Sequence, residues 1–242
     1  MDINSTTIFI TLGSFVAAYV NAVFATGGYF IMLAVCTSLL PMTIAVPIQP
    51  ALIYTSLIAR VSYFWSHTNW QIVLTFCIGA VIGVVIGAKT FIQLSESILS
   101  LAVGVMIGII VWLPKTGFRL QLKHPYFSVG VLHAFLTTAI GASAFVQTII
   151  LRSPLLKRQI TGTLAACFLA MEGMRIIGYA IVGFNYGNFL TLIIMASLAG
   201  IAGTWIGKRT EHHISEKLFR NVFKWMITIV ALRLIYKGVI SL

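Results

Sequence analysis

The 242-residue chain is 59% hydrophobic and 9% charged, with a net charge of +11 and a mean hydropathy of +1.00. A soluble domain carries about 25% charged residues, so a water-soluble fold is excluded. The positive charge does not describe a nucleic-acid surface either, because the basic residues fall in short segments between apolar runs, where they report membrane topology.

Residues 3–59 contain no Asp, Glu, Lys or Arg. At about 20 residues per span, that run alone holds at least two bilayer passes. Asp2 stands where a basic leader would begin, so no cleaved signal peptide is expected. Further runs without those four residue types cover 61–88, 97–114 and 176–207. Cys36, Cys77 and Cys167 lie inside apolar segments without metal-ligand spacing and read as small buried hydrophobes.

The first apolar stretch, 8–40, would be roughly 50 Å long as one straight helix, against a hydrocarbon core of about 30 Å. Gly27-Gly28 is where it can break, so a hairpin returning to its starting side is expected. Spans at 48–66, 70–88 and 97–113 follow, then a polar linker at 115–126. The second half repeats the order: a Gly-interrupted stretch at 127–151, then spans at 160–183, 187–207 and 220–240. The halves also match directly. Gly83, Ile86, Gly87, Thr90, Ser95 and Glu96 each recur 120 residues later, and Ala25-Thr-Gly27-Gly28 corresponds to Ala139-Ile-Gly141-Ala142.

Lysine and arginine number 2 in residues 1–114 and 14 in 115–242, clustered at 115–123, 152–158 and 208–220. If 127–151 crossed the membrane once, the first two clusters would face opposite sides. A hairpin there puts all three in the cytoplasm. The expected fold is therefore all-α: inverted repeats at 1–114 and 127–242, each a Gly-broken hairpin plus three transmembrane helices, with a cytoplasmic linker at 115–126 and both termini outside. Inverted repeats with interrupted segments are a transporter architecture.

The ordered motifs Ala25-Thr-Gly27-Gly28-Tyr-Phe, Thr55-Ser56-Leu57, Trp70 and Gly79…Gly83…Gly87 resemble the TauE/SafE family of permeases, also called the sulfite exporter family. The resemblance extends over both halves. The chain departs from the family pattern in its reduced glycine cluster, in lacking the usual proline after it, and in Ser66-His67 where a basic pair is usual. The resemblance implies a multi-pass protein of the bacterial cytoplasmic membrane that moves a small anion: sulfite, a sulfonate or another organosulfur anion. It implies no cofactor and no nucleic-acid partner.

A broken helix exposes backbone N–H groups, so Thr26, Gly27 and Gly28, with Gly141, Ala142 and Ser143, are the expected substrate-binding residues. An arginine inside a span costs at least about 2.5–3.5 kcal/mol on insertion scales and seeks a partner or a wet cavity. Arg60 is the first candidate to face the anion, ahead of Arg175, which has Glu172 at i−3 as a structural partner. Glu172 is read as part of a static pair in preference to a coupling proton carrier. Asn21, Gln49, His133 and Gln147 are candidate path-lining groups. The competing functions are a passive anion channel of the same fold, a membrane-embedded enzyme and a scaffold subunit. The chain has no HExxH, no GxSxG and no acidic pair for a metal, and His212-His213 lacks further ligands in motif spacing.

The topology has a direct test. In a background without native cysteines, Arg119→Cys and Lys157→Cys should label from the same side; labelling from opposite sides would eliminate the second hairpin.

Overall fold

The computed structural model describes residues 3–24, 27–112, 124–151, 153–210 and 216–241. In chain order these form α1 (Ile3–Phe24), α2 (Gly28–Leu39), α3 (Met42–Phe64), α4 (Trp70–Phe91), α5 (Glu96–Trp112), α6 (Pro125–Ala139), α7 (Phe145–Leu151), α8 (Lys157–Ile181), α9 (Leu190–Thr210) and α10 (Glu216–Ile240). No strand occurs among the described residues. Thr26, most of the 115–126 linker, Arg152 and His212-His213 lie outside them.

Five helices, α1, α3, α4, α8 and α9, are long and apolar enough to cross a membrane. The 12-residue α2 and the 7-residue α7 reach only about 18 and 10 Å at the α-helical rise, well short of a span. Both short helices follow a glycine with positive φ, Gly27 at 106° and Gly141 at 89°. An L side chain rarely adopts that conformation, so each glycine sets its break by backbone geometry. Gly28 serves a different need. A Cβ there would collide with the Ala17 carbonyl and the Asn21 side chain, so α2 can fold back against α1 only with glycine at that position. The 8–40 stretch is thus the expected hairpin.

The 41–47 segment, expected as a loop, is instead helical from Met42. Glu96 explains the early start: its carboxylate accepts the Met42 N–H at 2.8 Å and the Thr43 N–H at 3.2 Å, satisfying the exposed donors of the first turn. Pro47 and Pro50 consequently lie inside α3. Each removes a backbone donor from the helical ladder and frees the carbonyl four residues earlier.

The small-residue faces lock helix to helix. Gly79, Gly83 and Gly87 of α4 face the α6 backbone at Phe127, Val131 and Phe135. Gly203 and Gly207 of α9 face the α1 backbone at Phe15 and Tyr19, and nearby Ser14 Oγ donates to the Ala196 carbonyl at 2.7 Å. Small residues let backbones approach closely where lipid offers no hydrophobic drive for association. The partnerships are reciprocal between the halves: α4 packs on α6 as α9 packs on α1, α3 on α9 as α8 on α4, and α3–α8 and α5–α10 pair across the middle.

The same contacts fix which helix ends lie together. The start of α8 meets the end of α3, where Gly162 faces Phe64 and Thr163 Oγ1 accepts the Asn69 N–H at 3.0 Å. The start of α6 lies against the middle of α4, at Phe76 and Gly79, and runs on toward the end of α4, and Lys208 at the end of α9 sits over the Tyr63 ring. Segments flanking all three basic clusters therefore gather at one end of the bundle. At the other end, Lys237 of α10 pairs with Glu96 at 3.1 Å.

Gly83→Leu should prevent close approach of α4 and α6. The obstruction is backbone, so the loss should meet or exceed the 1–3 kcal/mol typical of overpacking. Gly108→Ala, with no atom within 4 Å of the added Cβ, should behave as wild type. Monodispersity and melting temperature in detergent measure both; equal behaviour of the two variants would contradict the packing face.

Candidate functional site

The two breaks are joined through one side chain. Tyr29, directly after the first break, donates its hydroxyl to the carbonyl of Gly141 in the second, at 3.0 Å. The same oxygen accepts Nη1 of Arg175 at 3.2 Å. Nη1 also donates to Glu172 Oε2 at 2.6 Å, and both members of that pair are fully buried. Their i,i+3 spacing on α8 places them on one helix face, as expected.

The other side of the guanidinium is held by what the prolines release. Pro50 has no N–H to give the Val46 carbonyl, and Nη2 of Arg175 donates to that carbonyl at 3.4 Å. Nη2 also lies 3.4 Å from the Tyr179 hydroxyl, which donates in turn to the Thr138 carbonyl at 2.5 Å. Thr138 is in the last turn of α6, where carbonyls lack an intrahelical partner. Arg175 thereby links α2, α3, α6 and α8 through groups whose own ladders are broken.

Two of the expected backbone donors are engaged within the protein. The Gly28 N–H goes to Asn21 Oδ1 at 2.9 Å and the Gly141 N–H to the Thr137 carbonyl at 3.0 Å. Asn21 accordingly caps the first break. Gln49 Nε2 donates to the Tyr29 carbonyl at 3.1 Å. Ser143 Oγ meets His133 Nδ1 at 2.7 Å, with the imidazole between the rings of Phe76 and Phe168. Ala142 is buried against the apolar cluster that includes Leu33 and Val46.

Around this network, polar atoms are buried without a partner: Gln49 Oε1, His133 Nε2, Thr138 Oγ1, Gln147 Oε1, Glu172 Oε1 and Arg175 Nε. Every one belongs to a residue beside a break or to the ion pair. Buried polar groups are ordinarily satisfied, and leaving one unmade costs about 1–3 kcal/mol. The six are candidate contacts for a polar occupant; Thr11 Oγ1 and Ser100 Oγ, away from the network, are likewise buried without a partner.

Arg60 is buried on α3 but lies away from this network. It is fourteen residues beyond Val46, about 20 Å along the helix at 1.5 Å per residue. Arg175 thus lies between the breaks, and Arg60 is remote from them along α3. The residues that sequence reasoning passed over are Tyr29, Tyr179 and Tyr186, whose hydroxyl donates to the Pro47 carbonyl at 3.0 Å. The signal was present in two prolines inside one span, which release carbonyls, and in a tyrosine one turn beyond the buried arginine. Among the described residues, no group of three or more His, Cys, Asp and Glu side chains is arranged to hold a metal.

Residues 10–234 match the sulfite exporter TauE/SafE family. The chain belongs to that family. TauE/SafE proteins are multi-pass membrane transporters of sulfur anions, which agrees with the apolar helices and with a polar site enclosed between them. No curated protein and no solved structure gives a match to the chain.

Within this TauE/SafE protein, Glu172→Gln should leave the Arg175 charge buried without its counter-charge. Breaking a buried pair typically costs about 3–5 kcal/mol, so the main loss should be in folded yield and melting temperature. A variant with wild-type stability that had lost only pH dependence would refute the static role.

Proposed function

We propose that this chain is a secondary transporter of a small sulfur oxyanion, sulfite or an organosulfonate, with Arg175 as the anion's principal charge partner. The observation that carries the reading is the fully buried guanidinium between two helix breaks, ringed by unpartnered polar atoms. An oxyanion in a low-dielectric interior needs a compensating charge and several donors. A guanidinium supplies a planar fork suited to two oxygens of a sulfonate or sulfite, which an ammonium cannot reproduce. Arg175 Nε and the hydroxyls of Tyr29, Tyr179 and Thr138 would turn to the anion, with Ser143, His133, Gln147 and Gln49 along its path. Gly27 and Gly141 set the breaks themselves, Gly28 lets α2 close on α1, and Ala142 packs beside Leu33 and Val46.

In the proposed architecture the chain is two inverted repeats, 1–114 and 127–242, in the bacterial cytoplasmic membrane. The reciprocal helix pairing between halves and the gathering of basic flanks at one end support it. That end is cytoplasmic by the positive-inside tendency. Substrate exchange would follow from rearrangement at the breaks, releasing the Tyr29 link between them while the α4–α6 and α1–α9 pairs that join the halves stay packed.

The test is uptake into proteoliposomes of sulfite, sulfate, thiosulfate, taurine and sulfoacetate, with and without a pH gradient. Saturable uptake of at least one sulfur oxyanion is expected. In the fraction that folds, Arg175→Lys should weaken affinity by at least tenfold, about 1.4 kcal/mol. Unchanged affinity in that variant would rule out charge matching at Arg175, and uptake that never saturates would favour a passive channel.

A further inference from the structure

At the end of the bundle opposite the basic flanks, a cleft of about 230 Å³ lies between α10 and the turn joining α2 to α3. Its walls are the Thr37–Pro41 turn and, from α10, Arg233, Leu234 and Lys237. We propose that this cleft binds the phosphate of an anionic phospholipid.

Charge is the first argument. Arg233 and Lys237 are four residues apart and therefore on one face of α10, where like charges repel unless a counter-charge lies between them. Lys237 has one in Glu96, at 3.1 Å. Arg233 has no carboxylate among the described residues; its only contact is a long 3.5 Å donation from Nη2 to the Ser38 carbonyl. One positive charge is left over at the rim, and a phosphodiester with a single negative charge balances it. The fork of Arg233 suits two phosphate oxygens, with the Lys237 ammonium as a second donor.

Position selects the source of the phosphate. A free oxyanion and a lipid headgroup offer the same chemistry to these cations, but the cleft opens on a lipid-facing edge. Leu232 and Tyr236, which flank Arg233 and Lys237 on α10, are 61% and 68% exposed, and Ile229 one turn deeper is 66% exposed. This apolar strip gives acyl chains a surface directly beneath the cations, and a tyrosine at that level is the side chain favoured at a membrane interface. This site is separate from the Arg175 network and does not depend on the transport reading.

The test uses the full-length protein in detergent, with melting temperature read against added phosphatidylglycerol, phosphatidylcholine or inorganic phosphate. Phosphatidylglycerol should raise the melting temperature saturably, by about 5 °C. Phosphatidylcholine or inorganic phosphate at equal concentration should have little effect. Arg233→Gln should melt like wild type without lipid, because its one contact is weak, and should lose the shift. Native mass spectrometry of the wild-type protein provides a reading independent of any variant: phosphatidylglycerol should be retained in preference to phosphatidylcholine. An equal shift in Arg233→Gln, or equal retention of the two lipids, overturns the site. A matching shift with inorganic phosphate overturns the lipid as its occupant.

Discussion

A bilayer supplies no water to a broken helix, so each backbone group freed at a break must find its partner inside the protein. That constraint organises the centre of this molecule. The chain is interrupted twice by glycines in the left-handed region and weakened a third time by two prolines within α3. The freed carbonyls of Val46, Thr138 and Gly141 are met by Arg175, Tyr179 and Tyr29, and the freed N–H of Gly28 by Asn21. The polar side chains that look costly in a membrane interior are the ones that make the irregular backbone possible there.

The arginine has two roles that pull against each other. Its pair with Glu172 removes most of the cost of a buried charge, and its contacts with α2, α3 and α6 make it a structural joint. Full engagement would leave nothing for a ligand. The engagement is incomplete, since Arg175 Nε and Glu172 Oε1 have no partners and the neighbouring side chains contribute further orphaned atoms. An interior built for stability alone would be expected to satisfy such atoms or replace them with carbon. The remaining polar capacity is what the proposed anion site would use.

Reciprocal packing gives this centre its rigid frame. The glycine faces of α4 and α9 bring them against α6 and α1, the helices that lead into the breaks. With backbones in direct contact, neither helix can slide without steric conflict. The short α2 and α7 lie outside those two helix pairs, and they begin at the breaks. Motion about a fixed scaffold is therefore easiest to accommodate where the proposed anion site lies.

Sequence alone determined the membrane class, both break points and the helix-packing glycines. It did so because these follow from local properties: hydropathy over a span length, glycine's access to positive φ, and small residues at helical spacing. It also found the Arg175–Glu172 pair, whose partners share one helix face. The order of the two arginines was beyond its reach. Both arginines lie inside apolar spans, and only the packing of α8 against α3 brings Arg175 to the Val46 carbonyl opened by Pro50, a carbonyl about 20 Å along α3 from Arg60. The early start of α3 was hidden for the same reason, because its cap is Glu96, 54 residues later in the chain. Local propensity is written in neighbouring residues, whereas the choice of which buried charge meets which broken backbone is made by contacts between segments far apart in sequence.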